Sequence, residues 1–147
     1  MATARQVLGE MGETIVAKSC SCPKCKRQRT LKRLPNNFKC ADLICDFCGY
    51  LAQVKAVTVP NPDVLPPAVL GAAWGPQAER MESAIYFPLF LVLVADKKHS
   101  IFYLSADLQK PDMFKPRKPL SKKAQRAGWQ GFIYDLAPVR ESFVRIE

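Results

Sequence analysis

Histidine is almost missing from this chain: His99 is the single one. A Ser-His-Asp triad or a histidine-based metal site needs partners that the adjoining sequence does not offer, so His99 is expected to be a solvated residue of the Asp96-Lys97-Lys98-His99 turn. Long apolar runs are missing too. The longest, Ile85 to Ala95, contains Pro88 and falls well short of the roughly 20 residues a membrane helix needs; it reads as a buried strand. No secretory signal is visible, because the first twenty residues carry Arg5, Glu10, Glu13 and Lys18 and hold no apolar core. The expected setting is therefore intracellular, cytoplasmic or nucleoid-associated. Acid is scarce: 13 Asp and Glu stand against 22 Lys and Arg, a formal charge of +9. That balance points to a polyanion, nucleic acid before membrane.

What is present suits one packed domain over residues 1–147, with 48% apolar and 24% charged residues. Ala4, Val7, Leu8, Met11, Ile15 and Val16 recur at helical spacing, which predicts an amphipathic helix over 3–17. Phe38 to Cys45 and Tyr50 to Val59 are β-rich runs joined by a Cys-Asp-Phe-Cys-Gly corner, the pattern of an antiparallel hairpin. Residues 60–67 hold four prolines and predict a loop. A helix over 76–84, strands over 87–95 and 100–104, and a further strand over 131–136 complete the reading. Two excursions are strongly basic. Lys18 to Lys39 holds eight cations and no acid, and Lys110 to Arg126 holds seven cations and one acid.

Six cysteines in a chain expected to stay in a reducing compartment suggest metal rather than disulfides. Cys22-Pro23-Lys24-Cys25 and Cys45-Asp46-Phe47-Cys48 are two C-x-x-C knuckles separated by 19 residues, the spacing of a four-cysteine zinc ribbon inserted at about 20–50. Four thiolates fill a tetrahedral shell and leave no position for water, so this zinc is expected to be structural. Cys20 and Cys40 fall outside that spacing and are expected to be buried thiols.

Asp42, Gln53 and Lys55 are polar groups in otherwise apolar strands of the same hairpin. Gln53 and Lys55 are two apart and share a strand face, with Val54 turned toward the core, and Asp42 on the neighbouring strand can converge on them. Oxygens of Asp42 and Gln53, with the Val54 carbonyl, form a partial shell for Mg²⁺ or Mn²⁺, and Lys55 would sit against a metal-bound water. The spacing alone fits a solvent-facing strand beside a turn aspartate equally well.

With these residues in view, the sequence resembles the PD-(D/E)XK nuclease superfamily and, within it, the catalytic domains of DpnI-like methyl-directed restriction endonucleases. The two knuckles, Ala41-Asp42 before the third cysteine, Gln53 and Lys55 after the fourth, Lys118-Pro119-Leu120-Ser121 and Arg126-Ala127-Gly128-Trp129 match that pattern in order. The resemblance implies an α/β restriction-endonuclease-like core, a mixed central sheet flanked by helices, with the zinc ribbon inserted. It makes Asp42 a metal ligand, puts Gln53 in the place of the second acidic ligand, and makes Lys55 the motif lysine. Glu10 would add a first-helix carboxylate. It also implies that DNA lies over Ser121, Lys122, Lys123, Arg126 and Trp129, the tryptophan stacking near a methylated adenine; a buried core tryptophan is the competing reading. Gln53 departs from the pattern by one negative charge, and the chain ends where the family relative continues into a winged-helix domain, so specificity could come from a separate domain or subunit.

The leading expectation is a zinc-containing, Mg²⁺-dependent endonuclease acting on duplex DNA, with a preference for adenine-methylated duplex and both basic excursions clamping phosphates. Two other readings stand beside it: a DNA-binding module of the same fold with weakened or lost catalysis, and a zinc-ribbon adaptor for protein or RNA.

Overall fold

The computed structural model describes residues 3–36, 38 and 41–147. The chain forms two compact units: Met1–Val64 with Phe87–Ala106 and Phe143–Glu147, and Leu65–Tyr86 with Asp107–Ser142.

The first unit opens with α1 (Ala4–Ser19). Thr3 caps it: the Thr3 hydroxyl accepts from Gln6 N–H while the Gln6 side chain accepts from Thr3 N–H, a reciprocal box that satisfies two helix-end donors. Three strands follow, β1 (Leu31–Arg33), β2 (Leu43–Cys45) and β3 (Leu51–Thr58). Together with β5 (Leu89–Ala95), β6 (Lys98–Leu104) and β9 (Val144–Arg145) they make a six-stranded sheet in the order β1-β2-β3-β5-β6-β9. β3 and β5 run parallel, with Val54 opposite Phe90 and Ala56 opposite Val92, and every other pair is antiparallel. The architecture is therefore mixed α/β around a mixed sheet, with few helices.

Helix α1 lies across β3. A Cβ on Gly12 would stand 2.7 Å from the Ala56 Cβ, so the missing side chain is what allows the helix backbone this close to the strand. Val16, Cys20, Leu43, Ala52, Phe90, Val92 and Ile101 form the core beneath it, with Val54 and Ala56 packed at its edge. Leu89, Leu91 and Leu93 are buried as well, so β5 has no wet face, as expected of a strand in the parallel part of a sheet.

The second unit contains β4 (Ala68–Ala73), α2 (Trp74–Glu82), β7 (Phe114–Pro116) and β8 (Gly131–Asp135). Its sheet runs β4-β8-β7, all antiparallel. Phe114, Phe132 and Tyr134 meet at tilted to edge-on angles with ring centroids 4.9–5.9 Å apart, and Trp74 joins at 6.2 Å. These rings share a small core with Leu65, Val69, Met113, Leu136 and Val139.

Several expectations change in detail. The strand expected from Phe38 shrinks to Leu43–Cys45. Phe38 is exposed beside a turn in which its N–H donates to the Pro35 carbonyl, while Lys39 and Cys40 lie outside the described residues. His99 is a β6 residue opposite Val94 rather than a turn residue, because the hairpin pairs as far as Ala95 and Lys98. It remains exposed, 3.6 Å from Glu147. Cys20 is buried in the core as expected, and burial pushes its thiol up to about 11, aided by the charge of Glu147. Strands β1, β4, β7 and β9 were not expected from pattern; they are short or, like β4, rich in alanine and glycine.

Candidate metal sites and their surroundings

The two knuckles meet at one point. Sulfurs of Cys22, Cys25, Cys45 and Cys48 all lie within 4.8 Å of one another, with Cys22 to Cys48 at 3.6 Å and Cys25 to Cys45 at 3.7 Å. Those separations are far beyond a disulfide and match the edge of about 3.8 Å that a tetrahedron of bonds about 2.3 Å long requires. The four residues fit a zinc ion. Local backbone chemistry builds each knuckle: Lys26 N–H returns to the Cys22 carbonyl and Gly49 N–H to the Cys45 carbonyl. Gly49 holds a φ of 80°, which glycine adopts freely. Strand register then joins knuckle to sheet, since Cys45 stands opposite Leu31.

Proton affinities within the cluster are uneven. Burial pushes the Cys22 thiol up to about 12. At Cys45 burial opposes ionisation as well, but the Thr30 hydroxyl 3.2 Å away and the N–H groups of Cys48 and Phe47 override it and draw the thiol down to about 6. Metal uptake by such a set releases protons, and zinc bound there contributes directly to folding.

Asp42 forms a bend immediately before β2. Its N–H donates to the Ala52 carbonyl, closing the last rung between β2 and β3. One step on, Val54 N–H donates to the Asp42 carboxylate at 2.8 Å. On its other side the Asp42 carbonyl accepts from Leu34 N–H at 2.9 Å, so the residue is held between its neighbours on both sides. Gln53 is next to Asp42 when the Leu43–Ala52 register is continued, and its own N–H donates to the Pro88 carbonyl. Lys55 is half-buried on the same strand face as Gln53.

Electrostatics couple these groups. Burial raises the Asp42 pKa, while the Val54 N–H and the charge of Lys55 pull it down. Burial lowers the Lys55 pKa, Arg5 lowers it further, and Asp42 opposes both. Glu13 on α1 is the acid that sequence reasoning missed. Burial raises its pKa, then Asp42 does, then Arg33 at 3.3 Å lowers it and Glu10 raises it slightly. Glu10, the expected helix acid, is exposed, whereas Glu13 is half-buried. Both glutamates line a cleft of about 450 Å³ with Gln6, Gly9 and Asn36. Spacing carried the missing signal: Glu13 is one turn beyond Glu10, on the same helix face, and adjoins the Gly12 contact with β3. Asp42, Gln53 and Lys55 are not among the described residues that line this cleft, and among the described residues the acids do not gather as the four cysteines do.

The remaining expected residues belong to the second unit. Ser121, Lys122, Lys123 and Arg126 are exposed on a loop closed by Leu120 N–H to the Trp129 carbonyl at 2.8 Å and Gly128 N–H to the Leu120 carbonyl at 3.0 Å. Trp129 itself is half-buried, with the Arg126 guanidinium 4.4 Å above its ring. A Cβ on Gly131 would meet that ring at 2.8 Å, so the indole rests against the start of β8. The indole is therefore partly covered by its own loop and strand. Among the described residues no helix is long and apolar enough to cross a membrane.

No curated protein matches the chain. The knuckles, the Asp42 bend, β3 and the loop before β8 all fall within residues 2–146, which match the family model described as DpnI: Dam-replacing family, and the chain belongs to that family.

Proposed function

We propose that the protein is a metal-dependent DNA endonuclease of the PD-(D/E)XK type, hydrolysing phosphodiester bonds in duplex DNA with a preference for adenine-methylated sites. The family is one of methylation-related, restriction-type DNA nucleases. The observation that carries the finer reading is the 2.8 Å hydrogen bond from Val54 N–H to the Asp42 carboxylate, which ties that acid to β3, the strand that bears Gln53 and Lys55 on one face.

In this reading Asp42 and the Gln53 amide, with Glu13 or Glu10 from α1, hold Mg²⁺ or Mn²⁺. That ion, when bound, supplies Lewis-acid stabilisation of the phosphate and acidifies a water. Lys55, its pKa lowered by burial, orients the attacking water and faces the charge that develops on the phosphate oxygens. Asp42 is held by Val54 N–H, which fixes its rotamer without using both of its oxygens. The exposed cations of the second unit, together with the basic stretch before the first strand, bind backbone phosphates. The zinc held by the four cysteines has a structural part only.

Purified protein incubated with methylated and unmethylated plasmid in Mg²⁺ or Mn²⁺ is expected to nick or cut one of them, and Lys55→Ala is expected not to. A second reading is favoured by Gln53, a neutral amide where the family pattern has an acid: a DNA-binding module with weak or no catalysis. Plasmid retention without cutting in either metal would select it. No retention at all would leave the zinc-ribbon adaptor.

A further inference from the structure

The guanidinium of Arg27 lies 3.8 Å above the ring centroid of Phe47. The two residues come from different knuckles, Arg27 from just after Cys25 and Phe47 from between Cys45 and Cys48. Phe47 is 61% exposed, so the pair covers no core and stands at the surface. We infer that Arg27, held flat on Phe47, is a phosphate-backbone contact for DNA in its own right, assembled by the four-cysteine cluster that joins the two knuckles; this rests on the nuclease reading above.

Three observations support it. Arg27 is tightly placed: its carbonyl accepts from Cys22 N–H at 3.0 Å, and Lys26 and Arg29 on either side hold φ values of 65° and 62°. Basic residues rarely take left-handed backbone unless surrounding contacts impose it. Phe47 is placed as firmly, since Asp46 N–H donates to the Thr30 carbonyl at 2.8 Å and Cys48 N–H lies 3.5 Å from the Cys45 sulfur. The local charge is of one sign: Lys26, Arg27 and Arg29 are exposed, and the nearby acid Asp46 is partnered by Lys32 at 3.9 Å.

The chemistry follows from stacking. A planar guanidinium lying on an aromatic ring keeps its N–H edges free, in a fork that matches two phosphate oxygens, and loses less rotamer freedom when it binds. Phe47 is therefore a positioning residue, acting through Arg27.

The test uses the zinc-loaded full chain, a labelled duplex oligonucleotide, and Ca²⁺ in place of Mg²⁺ so that binding is read without cutting. Affinity is measured over a salt series for wild type, Arg27→Gln, Phe47→Ala and the double variant. Arg27→Gln is expected to weaken binding about fivefold and to reduce the slope of log K against log salt by about one, the loss of one phosphate contact. Phe47→Ala is expected to weaken it less, and the double variant to match Arg27→Gln alone. Zinc content and Tm should stay at wild-type values. Unchanged affinities and slopes while wild type still binds would overturn this inference and leave the nuclease reading standing, and so would additive losses in the double variant. Failure of wild type to bind DNA would remove both.

Discussion

The backbone N–H of Val54 donates to the Asp42 carboxylate at 2.8 Å. An aspartate side chain thus joins the backbone of β3 beside the rung that its own N–H closes with Ala52. The same group that finishes the ladder is the one whose charge is felt by Lys55 and by Glu13.

Asp42→Asn separates the two parts. An amide oxygen can accept the Val54 hydrogen bond, so the fold should hold. The raised pKa of Asp42 means that the folded state binds its proton more tightly than the unfolded chain does. Its stabilising contribution is complete below the ordinary carboxylate value of 3.8 and is lost as pH rises through the raised one. Removing the charge should therefore keep or raise Tm at neutral pH while abolishing cutting. A clear fall in Tm would show the charge itself to be stabilising.

Lys55 has the opposite sign. Its lowered pKa means that the unfolded chain holds the proton more tightly, so this residue's contribution to stability grows as pH rises from the lowered value toward 10.5. Lys55→Ala should leave duplex binding within about twofold of wild type and reduce cutting to background in both Mg²⁺ and Mn²⁺. Residual cutting in either metal would take the water-orienting part away from Lys55.

The two helix acids should differ. Glu13→Gln is expected to raise the Mn²⁺ concentration for half-maximal cutting by about tenfold, the loss of one charged ligand at an oxygen site. Glu10→Gln should move it much less, because Glu10 is exposed and Glu13 half-buried. A larger effect at Glu10 would restore the first-helix assignment that the sequence alone suggests.

Zinc should be part of the fold. Native mass spectrometry is expected to find one zinc per chain, and Cys45→Ser or a strong chelator should unfold the first unit and abolish cutting, although Cys45 touches no substrate in this reading. Full activity in metal-stripped protein would contradict this.

Gly12→Leu tests the seat of α1. The added Cβ alone would stand 2.7 Å from the Ala56 Cβ, so the helix must move off β3, at a cost of about 1–3 kcal/mol. Glu13 moves with it, so metal dependence and Tm should shift together. Chemical denaturation and a Mn²⁺ titration of the same variant read both.

Near neighbours in the chain were enough for part of this picture. The knuckles were legible because two residues between thiols suffice to place both on one ion, and the pairing of Gln53 with Lys55 followed from strand alternation. Buried β5 was legible from its apolar run and helix α1 from its spacing, although Ala4, Val7 and Met11, expected on the apolar face of α1, are exposed. Other features exist only once distant segments meet. The parallel pairing of β3 with β5, the rank of Glu13 over Glu10, the Asp42 bond to Val54 and the seat of Trp129 against Gly131 all require chain segments to be packed first. Helical periodicity gives the two glutamates one face and equal standing. Only the close approach at Gly12 sets their depth, and depth is what turns an ordinary surface acid into one that answers to Asp42.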